Sequence, residues 1–98
     1  MATLDEVKVA LRVTSDAFDG EVGSLVAAAE RDMRRVGVPE GLIASDPLAK
    51  MATVLYCKAN FGYDNSEAAR FMQSYRQTVA DMLNSPASYA GGGSDAVE

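Results

Sequence analysis

The chain contains no histidine and a single cysteine, Cys57, so the residue types that most often perform acid–base or nucleophilic chemistry are scarce. Lys58 follows Cys57, and a nearby ammonium group can lower the pKa of a thiol. Neighbouring residues on a helix point in different directions, however, so this pair is not expected to interact. We interpret Cys57 as a small, partly buried hydrophobic residue. One cysteine cannot form an internal disulfide, which fits a reducing compartment.

Three acidic residues, Asp16, Asp19 and Glu21, lie close together in the sequence. Their spacing lacks the alternating ligands, central glycine and distal glutamate of a calcium loop, so their favourable interaction with a helix N-terminus explains them better. The run Gly91-Gly92-Gly93 lacks the lysine and the helix that follow a phosphate-binding loop. These patterns predict no metal, no cofactor and no catalytic site, and an enzyme is not expected.

Arg31, Arg34 and Arg35 form the one basic cluster of the chain. Bases near the end of a helix interact favourably with its dipole, and they can also pair with acids of a neighbouring subunit. A nucleic-acid site is the alternative interpretation. It is disfavoured because fourteen acidic and nine basic residues give a net charge of −5, whereas phosphate binding needs a basic face.

Apolar residues recur at helical spacing along most of the chain, which predicts an all-α fold with about four helices and no strand. Thr3 and Glu6 form a capping box at the start of the first helix, and Gly37 is the expected end of the second. A loop with Leu42 and Ile43 tucked beneath it is predicted at 38–45. The predicted helices cover residues 4–11, about 17–36, 46–63 and about 66–84.

The third predicted helix is expected to be the central one. Asp46 is a favourable N-cap, Pro47 suits the first helical position, and Gly62 is the expected stop. A helix that is apolar on most sides normally has neighbours on more than one face. Its apolar stripe comprises Leu48, Met51, Ala52, Leu55 and Ala59, and its polar residues are Lys50, Thr53, Lys58 and Asn60.

The composition changes after the fourth helix. Pro86 stops the helix, the glycine run removes stiffness, and Tyr89 is the only large side chain of the segment. We therefore predict a helical domain over residues 1–84 and a flexible C-terminal tail over 85–98. The N-terminus does not resemble a signal peptide, and no apolar run approaches the roughly 20 residues of a membrane helix.

Several of these features together resemble the head-tail connector proteins of long-tailed double-stranded DNA phages, also called adaptor, head completion or DNA-packaging proteins. The similarity covers about residues 3–84, and it depends on the order and spacing of short motifs. These motifs are the step Leu11-Arg12-Val13, the acids Asp16 and Asp19, the L-hydrophobe-x-A-A run at 25–29, the D-P-L-x-K opening at 46–50 and the aromatic exit at 61–63.

The resemblance implies a mostly helical subunit that forms a homo-oligomeric ring in the virion neck, after assembly in the host cytoplasm. Its implied partners are further copies of itself, the portal protein and the next connector, stopper or tail protein. DNA would pass through the channel only as cargo, and no membrane is involved. The alternative is a small cytoplasmic helical protein–protein interaction module or regulator, acting as a dimer.

A ring needs two different patches that meet on neighbouring subunits. The acids at the start of the second helix and the arginines at its end supply such patches. The expected subunit interface therefore comprises Asp16, Asp19 and Glu21 of one subunit and Arg31, Arg34 and Arg35 of the next. The tail, with Pro86 and Tyr89, is expected to become ordered on the portal or on a neighbouring ring.

Overall fold

The computed structural model of the chain describes residues 2–61 and 66–84. Regular structure in these residues is entirely helical, which confirms the predicted all-α fold. The elements are α1 (Leu4–Leu11), a 3-10 helix (Asp16–Phe18), α2 (Asp19–Val36), α3 (Glu40–Ser45), α4 (Pro47–Asn60) and α5 (Ala68–Leu83).

The predicted signals for helix ends are confirmed at three positions. The N–H of Glu6 donates to Thr3 Oγ1 at 3.2 Å, and the Thr3 N–H donates to Glu6 Oε1 at 2.9 Å, which completes the capping box. At the start of α4, the N–H of Leu48 donates to Asp46 Oδ1 at 2.8 Å. Gly37 ends α2 with φ at 108°, a left-handed conformation that glycine adopts without a steric penalty.

The prediction of a loop at 38–45 is wrong, because residues 40–45 form the short helix α3. The carbonyl of Pro39 accepts hydrogen bonds from the N–H groups of Leu42 and Ile43 at 3.0 and 3.1 Å, so the chain turns into a helix directly after the proline. Six residues are too few to show helical periodicity in a sequence. Ile43 is buried and Leu42 is half-buried, as expected.

The second and fourth predicted helices begin slightly later than expected. A 3-10 turn, capped by Ser15 Oγ on the N–H of Ala17 at 3.0 Å, precedes α2. Ser66 and Glu67 form a turn before α5. The expected stop signals Gly62 and Pro86 lie outside the described residues.

α4 packs against each of the other four α-helices, most extensively against α5, which confirms its predicted central position. It contributes side chains to both apolar cores of the described chain. The main core comprises Met33, Val38, Ile43, Ala49, Ala52, Tyr75, Val79 and Met82. The second core, next to α1, comprises Ala2, Val7, Val22 and Cys57.

The face that α4 buries differs from the predicted stripe at two positions. Met51 was placed in the stripe but is 53% exposed, whereas Thr53 was assigned to the polar face but is buried. Burial of Thr53 is compatible with its hydroxyl because Oγ1 donates to the carbonyl of Ala49 at 2.9 Å. The residues that α4 buries are therefore small: Ala49, Ala52, Thr53, Cys57 and Ala59.

Candidate functional surfaces

The three acids expected at a subunit interface lie at the N-terminal end of α2, where two of them contact α1. The ammonium of Lys8 lies 2.6 Å from Asp19 Oδ1 and 3.5 Å from Asp16 Oδ1. The hydrogen bond to Asp19 raises the pKa of Lys8 above its ordinary value. Glu21 is exposed and has no ion pair within the described part of the chain. Lys8 therefore compensates part of the acidic charge inside the subunit, whereas no described residue compensates Glu21.

The arginines lie at the opposite end of α2, and two of them also have acidic partners in the same subunit. Arg34 Nε and Nη2 donate to the two carboxylate oxygens of Glu40 at 2.7 and 2.9 Å, which raises the pKa of Arg34 and lowers that of Glu40. Arg35 Nη2 donates to Asp32 Oδ1 at 2.6 Å. Arg31 is exposed and forms no ion pair with a described residue.

These pairs change the interpretation of the arginine cluster. Because Glu40 and Asp32 compensate Arg34 and Arg35, the cluster offers less free positive charge than the sequence indicates. Phosphate binding depends on that charge, so the structure disfavours the nucleic-acid alternative.

The structure does not bring the predicted acids and arginines together within one subunit. Asp19 and Arg34 are fifteen residues apart on the same helix, which corresponds to about 22 Å along the axis. The two charged patches therefore face opposite ends of α2. Two different patches at opposite ends of one helix are compatible with a head-to-tail contact between copies.

A partly buried hydrogen bond between α5 and α2 was not indicated by the sequence. The hydroxyl of Tyr75 donates to Asp32 Oδ2 at 2.7 Å, and burial, followed by this contact with the carboxylate, raises the pKa of Tyr75. Partial burial acts to raise the pKa of Asp32, but the hydrogen bonds from Tyr75 and Arg35 outweigh it and lower that pKa. The spacing of Asp32 and Arg35 could have suggested their pairing. Nothing in the sequence links either residue to Tyr75.

A groove with a volume of about 410 Å³ opens beside this hydrogen bond, and we call it the α2–α5 groove. The rings of Tyr56 and Tyr75 meet there edge to face, with centroids 5.2 Å apart. Val36 and Leu83 are 38% and 37% exposed in its walls. The groove is lined by Val36, Tyr56, Met72, Tyr75, Val79, Ala80 and Leu83, and by the charged residues Asp32, Arg35 and Arg76.

Glu30 is a second feature that the sequence did not indicate, since it stands among other charged residues of α2. Its side chain is buried, and its Oε2 atom accepts no hydrogen bond from the described residues. The charge of Glu30 contributes to the raised pKa of Arg34, one turn further along the helix.

Cys57 is fully buried, and burial raises the pKa of its thiol to about 11. Because a thiolate is the reactive form, this residue is inert at neutral pH. Within residues 2–61 and 66–84, no group of three or more potential metal ligands occurs. In the same ranges no helix is long and apolar enough to cross a membrane. Pro86 and Tyr89, the expected docking residues, lie outside the described residues.

The family model described as phage connector protein matches residues 3–87 of the chain. The chain belongs to the phage connector protein family. This match confirms the resemblance that the short motifs indicated over about residues 3–84. Searches of curated proteins and of solved structures found no match.

Membership of the connector family defines the general role of the protein. It is a structural connector of a phage and a component of the virion, and its family is structural rather than catalytic. A connector protein interacts with other proteins of the phage head and tail.

Proposed function

We propose that this connector protein assembles into a ring beneath the portal, completes the DNA-filled head and joins it to the next connector, stopper or tail protein. The family match over residues 3–87 carries this proposal. The small all-α subunit and the separated charges of α2 support it. The ring extends the DNA channel in the virion neck, and its subunits are located in the host cytoplasm before assembly. The protein performs no catalysis and needs no cofactor.

The net charge of −5 fits a channel through which DNA only passes. A protein of the same sign as the DNA phosphates lowers non-specific binding. DNA is therefore cargo in this proposal and not a ligand.

The subunit contact that we propose joins the acidic end of α2 in one copy to the basic end of α2 in the next. Asp16, Asp19, Arg34 and Arg35 already have partners within the subunit and would extend existing ion pairs into networks. Glu21 and Arg31 are exposed and form no ion pair with a described residue, so a new ion pair with a neighbouring subunit would stabilise these two charges most. Exposed pairs contribute about 0.2–1 kcal/mol each, so assembly needs a high concentration or the portal as a template.

A charge exchange tests this contact. Arg31→Glu or Glu21→Arg alone should weaken ring formation, as measured by native mass spectrometry, because each variant places like charges opposite one another. The double variant, which carries both reversals, should recover assembly, and circular dichroism should show unchanged helicity in all three proteins. Normal assembly of both single variants would exclude this face as the subunit interface.

The second part of the proposal concerns the division into a helical domain, residues 1–84, and a tail, residues 85–98. The tail, which includes Pro86, docks on the portal, and Tyr89 buries its ring in the partner. Deletion of residues 86–98 should leave the helical fold intact, as measured by circular dichroism, and abolish completion of heads in an assembly assay. Heads completed at the normal rate by the shortened protein would show that the tail is a spacer.

A further inference from the structure

We propose that the α2–α5 groove is a docking site for residues 85–98 of the same chain, which occupy it in the free subunit. The occupant is the segment that directly follows α5, and its anchor is the ring of Tyr89. The proposal concerns the free subunit and stands whether or not the tail later binds the portal.

The α2–α5 groove has an apolar lining, as expected of a site that binds another segment. Two tyrosine rings and Met72 form apolar surface beside the main core, and Val36 and Leu83 expose more than a third of their area in the walls. Several large apolar side chains that line one concave surface are typical of a binding site, whereas single exposed apolar residues occur on most protein surfaces.

The position and length of the tail allow it to enter this groove. The groove runs along α5 from Met72 to Leu83, and eleven residues of helix span about 16 Å. Tyr89 is five residues beyond Asn84, the C-cap of α5, and a fully extended chain of that length reaches about 17 Å. Because the chain must also reverse direction, Tyr89 can fold back along α5 to the end of the groove that Val79, Ala80 and Leu83 form.

The chemistry of the tail matches that of the groove. Tyr89 is flanked by the small residues Ser88 and Ala90, which admit its ring to a narrow groove, and Tyr56 offers an edge or a face for aromatic contact. The tail carries two acids, Asp95 and Glu98, and no base. The groove carries two arginines and one aspartate, and that aspartate already accepts hydrogen bonds from Tyr75 and Arg35.

Other exposed apolar residues fit the tail less well. Val9 on α1 is 76% exposed, but Asp5 lies one turn before it and would repel an acidic segment. Met51 is 53% exposed on α4, outside the groove. The tail directly follows α5 in the chain, so it is held at a high effective concentration next to the α2–α5 groove. This proximity also favours the groove over more distant sites.

A spin label on the tail of the full-length chain tests the proposal. Ser94→Cys provides the attachment point, and Cys57 is buried and does not compete for the label. The methyl signals of Met72 and Val79 in the NMR spectrum should lose intensity, while those of Val9 and Met51 should not. Tyr89→Ser in the labelled chain should restore the Met72 and Val79 signals, because the tether remains and the anchor is lost.

A matched pair of variants tests whether the groove itself holds the tail. Val36→Asp, in the groove wall, should restore the signals of Met72 and Val79 by repelling the acidic tail, and Val9→Asp should leave their loss unchanged. Signal loss that does not depend on Tyr89 or on Val36 would overturn the proposal.

A mixed sample distinguishes the tail of the same chain from that of another copy. Isotope-labelled protein without a spin label is combined with spin-labelled protein of natural isotope content, at a dilution at which native mass spectrometry shows monomers. Unchanged groove signals in this mixture support docking within one chain. Signal loss in the mixture that matches the loss within one chain would assign the tail to a second copy and overturn the proposal. Because monomers are measured, failure of ring assembly would not alter this result.

Discussion

At the scale of single residues, the hydroxyl of Tyr75 joins α5 to α2 through one hydrogen bond to Asp32, at 2.7 Å. Tyr75→Phe should lower the free energy of unfolding by about 1.5 kcal/mol, at the lower end for a hydrogen bond to a charged group, since water can still reach Asp32. Urea denaturation of the wild type and the variant measures this difference.

Tyr56→Phe is the matched control for that substitution. Tyr56 is half-buried beside Tyr75, and the described residues offer its hydroxyl no hydrogen bond. Its loss should change the free energy of unfolding by less than about 0.5 kcal/mol. Equal effects of the two substitutions would show that the Tyr75–Asp32 contact does not stabilise the fold.

Glu6 makes the stability of the subunit depend on pH. The hydrogen bond from Lys50 Nζ, at 2.7 Å, and those from Thr3 lower the pKa of Glu6 from 4.5 to about 2. A carboxyl group whose pKa is lower in the folded state stabilises that state above its unfolded pKa. The contribution of Glu6 should therefore be complete above pH 4.5 and decline as the pH falls toward 2.

Glu6→Gln separates the ion pair from the capping box, because glutamine also completes a capping box. The stability difference between the wild type and this variant should shrink as the pH falls from 4.5 toward 2. An NMR titration should place the midpoint of the Glu6 carboxyl near 2. A midpoint near 4.5 would contradict the contact with Lys50.

Only half of the role of Glu6 could be predicted from the sequence. The T-x-x-E spacing predicts the capping box because its two residues are three apart in the chain. Lys50 is forty-four residues away, and its contact with Glu6 depends on how α1 packs on α4. The same limit applies to Tyr75 and Asp32.

At the scale of secondary-structure elements, α2 contains two glycines near its start. A Cβ atom placed on Gly23 would meet no atom of the described residues within 4 Å, so the small size of Gly23 is not required by a contact with them. Gly23→Ala should raise the free energy of unfolding by about 0.5–1 kcal/mol, because alanine loses less backbone entropy in a helix. Thermal or urea denaturation measures the gain.

Gly37→Ala is the contrasting variant. Gly37 ends α2 at a φ of 108°, which is strained for any residue with a Cβ. This substitution should lower stability by about 1 kcal/mol or more. If Gly37→Ala raised the free energy of unfolding, or Gly23→Ala lowered it, the backbone conformations described for these two residues would be contradicted.

Helices with clear apolar periodicity or capping residues could be predicted from the sequence. The short helix α3 and the buried face of α4 could not, because they depend on packing between helices. The caps Thr3 and Asp46 act through atoms within three residues of them, so the sequence contains all the information needed. α3 was missed because its six residues are held by Pro39 and by burial of Ile43. Exposure of Met51 and burial of Thr53 follow from the direction in which α5 and α2 approach α4, which periodicity does not define.

At the scale of the whole molecule, the central helix, the all-α class and the connector family were predictable. The α2–α5 groove was not, because residues from α2, α4 and α5 form it, and their relative placement is a property of the packed structure. The local pairing of Arg34 with Glu40 and of Asp19 with Lys8 was missed for the same reason. Because these ion pairs already compensate Arg34 and Asp19, the test of the proposed ring contact uses Glu21 and Arg31.

The central claim is that this connector protein forms a ring on the portal. Native mass spectrometry of the protein, alone and mixed with the portal protein of the same phage, tests it most directly. The expected result is a portal complex that carries more than two copies of the 10.4 kDa subunit. A protein that stays monomeric or dimeric and leaves the portal unbound at every concentration would contradict the claim.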